Sequence, residues 1–209
     1  MSHSLSKQVV VVSGAGRGLG AAIAAAFARE GAQVVVNYRA SRAQAEALAA
    51  TLGPRTVALQ ADVRDASQVG AMFDTIERTM GPVTTVVHNA LADYRFNGDA
   101  RDTIATLTPD KLLEQTNTAC VGALTLLQRA VPAMAQAGFG RVVTIGSNLV
   151  QNPVVPYHDY TAAKSALLAF TRTAAAELGP RGITVNMVSG GLLPVSYTHL
   201  RAHETKANL

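Results

Sequence analysis

The sequence predicts an α/β protein: one doubly wound, parallel sheet with helices on both faces, a three-layer α/β/α arrangement. Three observations carry that expectation. Short apolar runs rich in β-branched residues alternate six times with helical segments. The connections between them are short, as right-handed β-α-β crossovers require. The first apolar run passes directly into a glycine-rich turn, SGAGRGLG at Ser13 to Gly20, which opens a helix.

A chain of 209 residues, 48% hydrophobic and 15% charged, is sized for a single domain with a substantial core. Its net charge of +4 comes without a basic block, so neither nucleic acid nor a membrane surface is an expected partner. No apolar run reaches membrane-spanning length, and MSHSLSKQ reads as a short polar start rather than a cleavable leader. The cytoplasm is the expected location. Cys120 is the single cysteine; it lies in an apolar helical run and reads as a small buried hydrophobe.

The elements follow in order. Gln8 to Val12 is a buried parallel strand, and the alanine-rich AAIAAAFAREGA after Gly20 is a helix. A strand, a glycine turn and a helix N-terminus together suit a pyrophosphate, which backbone N–H groups and the helix dipole would face. Gly14, Gly18 and Gly20 supply the tight turn, the close backbone approach and the helix–strand packing. The second strand, Gln33 to Asn37, ends in Asn37-Tyr38-Arg39, without the acid that holds a ribose 2′-hydroxyl in NAD sites. Arg17 and Arg39 are placed to meet a 2′-phosphate. Either arginine alone also fits a solvated surface position; together with the missing acid they favour NADPH.

Ser41 to Leu52 is a helix, Thr56 to Gln60 a strand followed by Ala61-Asp62-Val63, and Asp65 to Met80 another helix. The strand Thr84 to Val87 delivers His88, Asn89 and Ala90 to the carboxyl edge of the sheet, where ligands bind in this architecture. Asn89 reads as a hydrogen-bonder on the cofactor side and His88 as a packed strand-end residue. The polar segment Leu91 to Leu107 is long for a connection and suits a lid or substrate wall. Thr108 and Pro109 mark a helix start, with the helix running to about Gln136. Gly140 to Gly146 is the fifth strand, Gly182 closes the helix after it, and Ile183 to Val188 is the sixth strand.

Between the last two strands lie Ser147 and the pair Tyr160 and Lys164. From Tyr160 the pattern is helical, with Ala163, Leu167, Phe170 and Ala174 on one stripe. Residues four apart share a helix face, so the Lys164 ammonium is expected beside the Tyr160 phenol, lowering its pKa toward the working pH. Tyr160 then becomes a candidate general acid–base, with Ser147 free to hold a substrate oxygen. Taken alone, the pair fits a solvated helix surface better, since a Tyr and a Lys four apart occur by chance on many helices.

Taken together, these residues resemble the short-chain dehydrogenase/reductase family, over about Lys7 to Leu193, and within it the 3-oxoacyl-[acyl-carrier-protein] reductase type. The resemblance rests on the glycine turn, Ala61-Asp62-Val63, Asn89, Ser147, Tyr160 and Lys164. It implies a Rossmann-type fold that continues into a seventh strand beyond Leu193, which this chain lacks. It implies that Ser147, Tyr160 and Lys164 are catalytic: Tyr160 protonates a carbonyl oxygen, Ser147 holds that oxygen, and Lys164 binds the nicotinamide ribose. It assigns Gly14, Gly16, Arg17, Gly18, Leu19, Gly20, Arg39, Asp62, Val63, Asn89, Tyr160 and Lys164 to NADP(H) binding. The implied substrate is a 3-oxoacyl thioester on acyl carrier protein or CoA, and the full-length form is expected to be a homotetramer. Two alternatives are a reductase or dehydrogenase of another alcohol or ketone, and a nucleotide-binding protein with lost catalysis.

The chain departs from the family pattern at four places. Ser13 stands for threonine, His88 and Leu91 flank Asn89-Ala90 where asparagine and glycine are usual, and Ser189-Gly190-Gly191 replaces a Pro-Gly. Ala119 occupies the place of a helix asparagine that positions a relay water, so the proton relay is expected to be rerouted. The string Val195 to Thr205 resembles the translation of a transposase adapter used in short-read DNA libraries. Residues 1–194 are therefore expected to form the reductase domain, incomplete at its C-terminus, and 195–209 a non-native tail. An exposed sixth strand and an open pocket are then expected to lower stability and turnover. His199 and His203 have the spacing of a helical metal pair, but no third ligand accompanies them and no metal is assigned.

Overall fold

Six strands form one parallel sheet in the computed structural model, which describes residues 4–92 and 100–191. They are β1 (Val9–Val12), β2 (Gln33–Tyr38), β3 (Thr56–Gln60), β4 (Thr85–His88), β5 (Gly140–Ser147) and β6 (Ile183–Gly190). The spatial order is β3-β2-β1-β4-β5-β6. The chain therefore builds outward from β1 in one direction, then jumps to β4 and builds in the other. That reversal opens a crevice between the carboxyl ends of β1 and β4, where this architecture binds ligands.

Side chains alternate across the sheet and give each face its own core. Val10 and Val12 of β1, with Val34 and Val36 of β2, pack with Ala24 of α1 (Gly18–Arg29) and Ala45 of α2 (Arg42–Leu52). Val9, Val11, Val86 and Val142 face the other way, against Phe73 and Ile76 of α3 (Ala66–Met80). Leu126 and Met134 of α5 (Gly122–Ala137), and Ala174 and Leu178 of α6 (His158–Leu178), complete that side. A fully buried side chain of this size contributes roughly 1.5–3 kcal/mol.

The helix starts follow their caps. The Asp65 carboxylate accepts from the N–H groups of Ser67 and Gln68, and the Thr108 hydroxyl accepts from Lys111 N–H at the head of α4 (Pro109–Thr116). One expectation is corrected here: the segment expected as a single helix from Thr108 is interrupted. Between α4 and α5 the five residues Asn117–Val121 form a π-helical turn. At its end the helix runs close to the sheet, since a Cβ on Gly122 would lie 2.7 Å from Val63 Cγ2 and 3.0 Å from His88 Cε1. Boundaries shift as well: β4 extends to His88, β5 to Ser147 and β6 to Gly190, while α6 starts ahead of Tyr160.

The continuous helical stretch Pro109–Ala137 is long and apolar enough to cross a membrane by length and composition, contrary to the reading of the sequence. Half of that apolar window is buried within the fold, as in the core helix of a sheet protein. Among the described residues β6 is an outer strand, and Val188 on it is exposed. The expected substrate wall falls partly on residues 93–99, outside the described residues. So do the tail at 195–209, His199 and His203.

Candidate active site

The glycine turn lies in the crevice and is braced from β4. Ser13 Oγ accepts from the N–H groups of Asn89 and Ala90, both at 3.0 Å. The Asn89 carboxamide nitrogen donates to the carbonyls of Ser13 and Gly14 at 3.1 and 3.2 Å. Asn89 thus shapes the turn with its N–H groups. Gly14 has φ of 63°, and a Cβ there would stand 2.9 Å from Ala90 Cα. A Cβ on Gly20 would stand 2.5 Å from both Asn89 Nδ2 and the Gly14 carbonyl, and one on Gly16 would collide with Ser41 Oγ. At the head of α1, Arg17 makes no side-chain cap and no acid occupies the first turn. Bare backbone, free helix N–H groups and close approach suit a pyrophosphate, so the residues present fit a dinucleotide.

Arg17 and Arg39 are exposed, and neither forms an ion pair among the described residues. Asp62 is partnered: Arg64 Nη2 lies 2.6 Å from Oδ2 and Nε donates to Oδ1 at 3.0 Å. The Arg64 guanidinium holds the Asp62 carboxyl below its usual range, and also lies 3.7 Å from Glu114 on α4. Val63 is buried, and its carbonyl accepts from Thr125 Oγ1 at 2.5 Å. Leu19 is half-buried on the first turn of α1.

Ser147, Tyr160 and Lys164 come together. Ser147 ends β5, and the other two face it from α6; their exposures are 6%, 8% and 3%. Ser147 accepts from Leu149 N–H at 3.2 Å and lies close enough to the Tyr160 hydroxyl to pull its pKa down. The stripe expected on α6 is present, with Ala163, Leu167 and Ala174 buried and Phe170 packed beside them.

The expected effect of Lys164 on the tyrosine is corrected. Burial pushes the Tyr160 pKa above its ordinary value, with the Ser147 hydrogen bond opposing. The Lys164 ammonium lies over the phenol ring, 5.6 Å from its centre, and donates to the Ile145 carbonyl at 2.5 Å. Burial in turn lowers the Lys164 pKa to about 8. The pair is a protonated phenol and a desolvated ammonium, rather than a phenolate held by its neighbour.

His88 is fully enclosed, with Nδ1 3.1 Å from Ser13 Oγ and Nε2 3.0 Å from the Ala119 carbonyl. Burial, then the charge of Lys164, pulls its pKa down to about 4, so at neutral pH it is uncharged. It is a packed strand-end residue, as its position suggested. Ala119 is buried and offers no polar side chain, while Asn117 is exposed. Cys120 is half-buried, and burial raises its thiol pKa against the opposing charge of Lys164. The reading of the sequence missed Ile145, Arg64 and Thr125. Arg64 had a signal, an arginine two residues past Asp62; the other two contacts use backbone carbonyls, which no residue type announces.

Comparison with known proteins gives the family. A family model described as enoyl-(acyl carrier protein) reductase matches residues 14–206. A short-chain type dehydrogenase/reductase of Picea abies is 34% identical over 197 residues, covering 90% of this chain and 71% of that protein. NADPH-dependent aldehyde reductase 2, chloroplastic, of Arabidopsis thaliana is 33% identical over 202 residues, covering 90% and 72%. The 3-oxoacyl-[acyl-carrier-protein] reductase FabG of Staphylococcus aureus is 32% identical over 205 residues, covering 95% and 80%. The chain belongs to the short-chain dehydrogenase/reductase family, and is an oxidoreductase of the kind that uses a nicotinamide dinucleotide.

Proposed function

We propose that this chain uses NADPH to reduce the keto group of a 3-oxoacyl thioester carried on acyl carrier protein or CoA. The observation that carries the reductive reading is the buried Ser147–Tyr160 pair, whose phenol is held protonated at neutral pH. A group in that state is ready to give a proton. The likeness to FabG supports the thioester. NADPH is supported by the two exposed arginines, Arg17 and Arg39, by the absence of an acid in Asn37-Tyr38-Arg39, and by the name of the Arabidopsis relative.

When bound, the nicotinamide would supply a hydride to the carbonyl carbon. Tyr160 gives its phenolic proton to the carbonyl oxygen, turning ketone into alcohol, and solvent restores the proton. Ser147 holds that oxygen through its hydroxyl, so the acceptor lies beside the donor before transfer. Lys164 would hold the nicotinamide ribose with its ammonium, already desolvated in the site. The glycine turn and the head of α1 would hold the pyrophosphate, Arg17 and Arg39 the 2′-phosphate, and Asp62 and Val63 the adenine.

A second reading, reduction of another aldehyde or ketone, is favoured by the Arabidopsis aldehyde reductase, which is equally similar. Rates of NADPH oxidation with an acetoacetyl thioester, set against a panel of simple aldehydes and ketones, separate the two. The thioester is expected to give a kcat/KM at least about tenfold above the best of the panel, since its acyl and thioester groups add binding contacts. An inverted order supports the second reading, and NADPH binding without turnover on any carbonyl supports a nucleotide-binding role.

A further inference from the structure

We infer that His88 is a positioning residue that couples the cofactor turn to the helix carrying Tyr160 and Lys164, acting through the π-helical turn at Asn117–Val121. Its two ring nitrogens are spent on different parts of the site. The Ser13 hydroxyl already accepts from the N–H groups of Asn89 and Ala90, so its own hydrogen goes to His88 Nδ1, 3.1 Å away. Nε2 must then carry the ring proton, which it donates to the Ala119 carbonyl at 3.0 Å. One rigid ring therefore spans from the glycine turn to the π-helical turn.

The far end of the span reaches the chemistry. Ala119 and Ala123 pack in one cluster with Ala163 and Leu167 of α6, the two residues that bracket Lys164 along that helix. Ala119 has no polar side chain with which to brace its own turn, so the carbonyl bond from His88 is its side-chain anchor. Gly122 is what admits the ring edge, since a Cβ there would stand 3.0 Å from His88 Cε1. With 1% of its surface exposed, His88 has no outlet to solvent, and the Thr118 carbonyl of the same turn also lies near its ring.

Two substitutions divide the span. His88→Asn keeps a carbonyl near Nδ1 that can accept from Ser13, and gives up the reach to Ala119. His88→Gln keeps a donor near Nε2 for Ala119, and gives up the acceptor for Ser13. NADPH binding, followed by the fluorescence of the reduced nicotinamide, reads the Ser13 end. Amide hydrogen exchange at residues 118–122 reads the Ala119 end. His88→Asn is expected to leave NADPH affinity within about twofold and to speed exchange in the turn roughly tenfold. His88→Gln is expected to weaken NADPH binding roughly tenfold and to leave that exchange near the wild-type rate.

A third readout needs no substitution. Ring nitrogen shifts of His88 in the wild-type chain are expected to show a protonated Nε2 and a bare Nδ1 at neutral pH. A protonated Nδ1, or two variants that behave alike and merely lose global stability, would overturn the proposal. Only the binding measurement rests on the cofactor reading. A wild-type chain that binds no NADPH would sink that reading, while exchange and ring shifts still decide the role of His88.

Discussion

Replacing Tyr160 by phenylalanine is expected to lower turnover by roughly 10²–10⁴-fold, the range general acid catalysis supplies, with NADPH affinity kept within about twofold. The substitution removes the phenolic hydroxyl, which lies near Ser147, and leaves the ring. The ring keeps its burial on α6 and its place under the Lys164 ammonium. Ser147 retains its bond from Leu149 N–H, so the fold is expected to lose no more than about 1 kcal/mol, the worth of one hydrogen bond. Rates of NADPH oxidation and a binding titration on the same preparation check both halves. Turnover above a tenth of wild type would remove Tyr160 from the role of proton donor.

The second large effect is expected at the arginines. Charge-assisted hydrogen bonds contribute roughly 1.5–3 kcal/mol when shielded from water, and less at the exposed rim where Arg17 and Arg39 stand. Changing both to alanine is expected to weaken NADPH binding about 100-fold, even after that discount for solvent, and to leave NADH binding unchanged. Because both guanidiniums would meet one phosphate, the single changes should not simply add. Neither side chain is in an ion pair among the described residues, and Arg39 acts only at longer range on Asp62, so thermal stability should barely move. NADPH and NADH titrations of the three variants check this. A parallel loss of both cofactors would show that the arginines hold the pyrophosphate or the fold instead.

What could be read in the sequence was what local chemistry writes there. β-branched runs such as Val9–Val12 are wholly buried strands, and Thr108 caps the helix it precedes. The glycine turn, Asn89, Ser147, Tyr160 and Lys164 stand where motif and topology place them. Three features escaped. The π-helical turn ends where Val63 and His88 approach Gly122, a contact between residues remote in the chain. The carbonyl partner of Lys164, Ile145, lies on another strand and is a backbone atom. The direction of the Tyr160 shift was misread because helix spacing shows proximity to a lysine but not burial, and here burial prevails. Substrate choice is the least legible, since one fold of this kind serves many carbonyl compounds.

In the proposed reaction, hydride and proton meet at one carbonyl beside Tyr160. Label transfer tests it most directly: the chain is incubated with NADPH deuterated at the reactive nicotinamide carbon and an acetoacetyl thioester, and the product is analysed by mass spectrometry. The account predicts a hydroxyacyl product with deuterium on the former keto carbon, formed by the wild-type chain and lost in Tyr160→Phe. NADPH that binds while its label stays on the nicotinamide, across thioester, aldehyde and ketone acceptors, would contradict it.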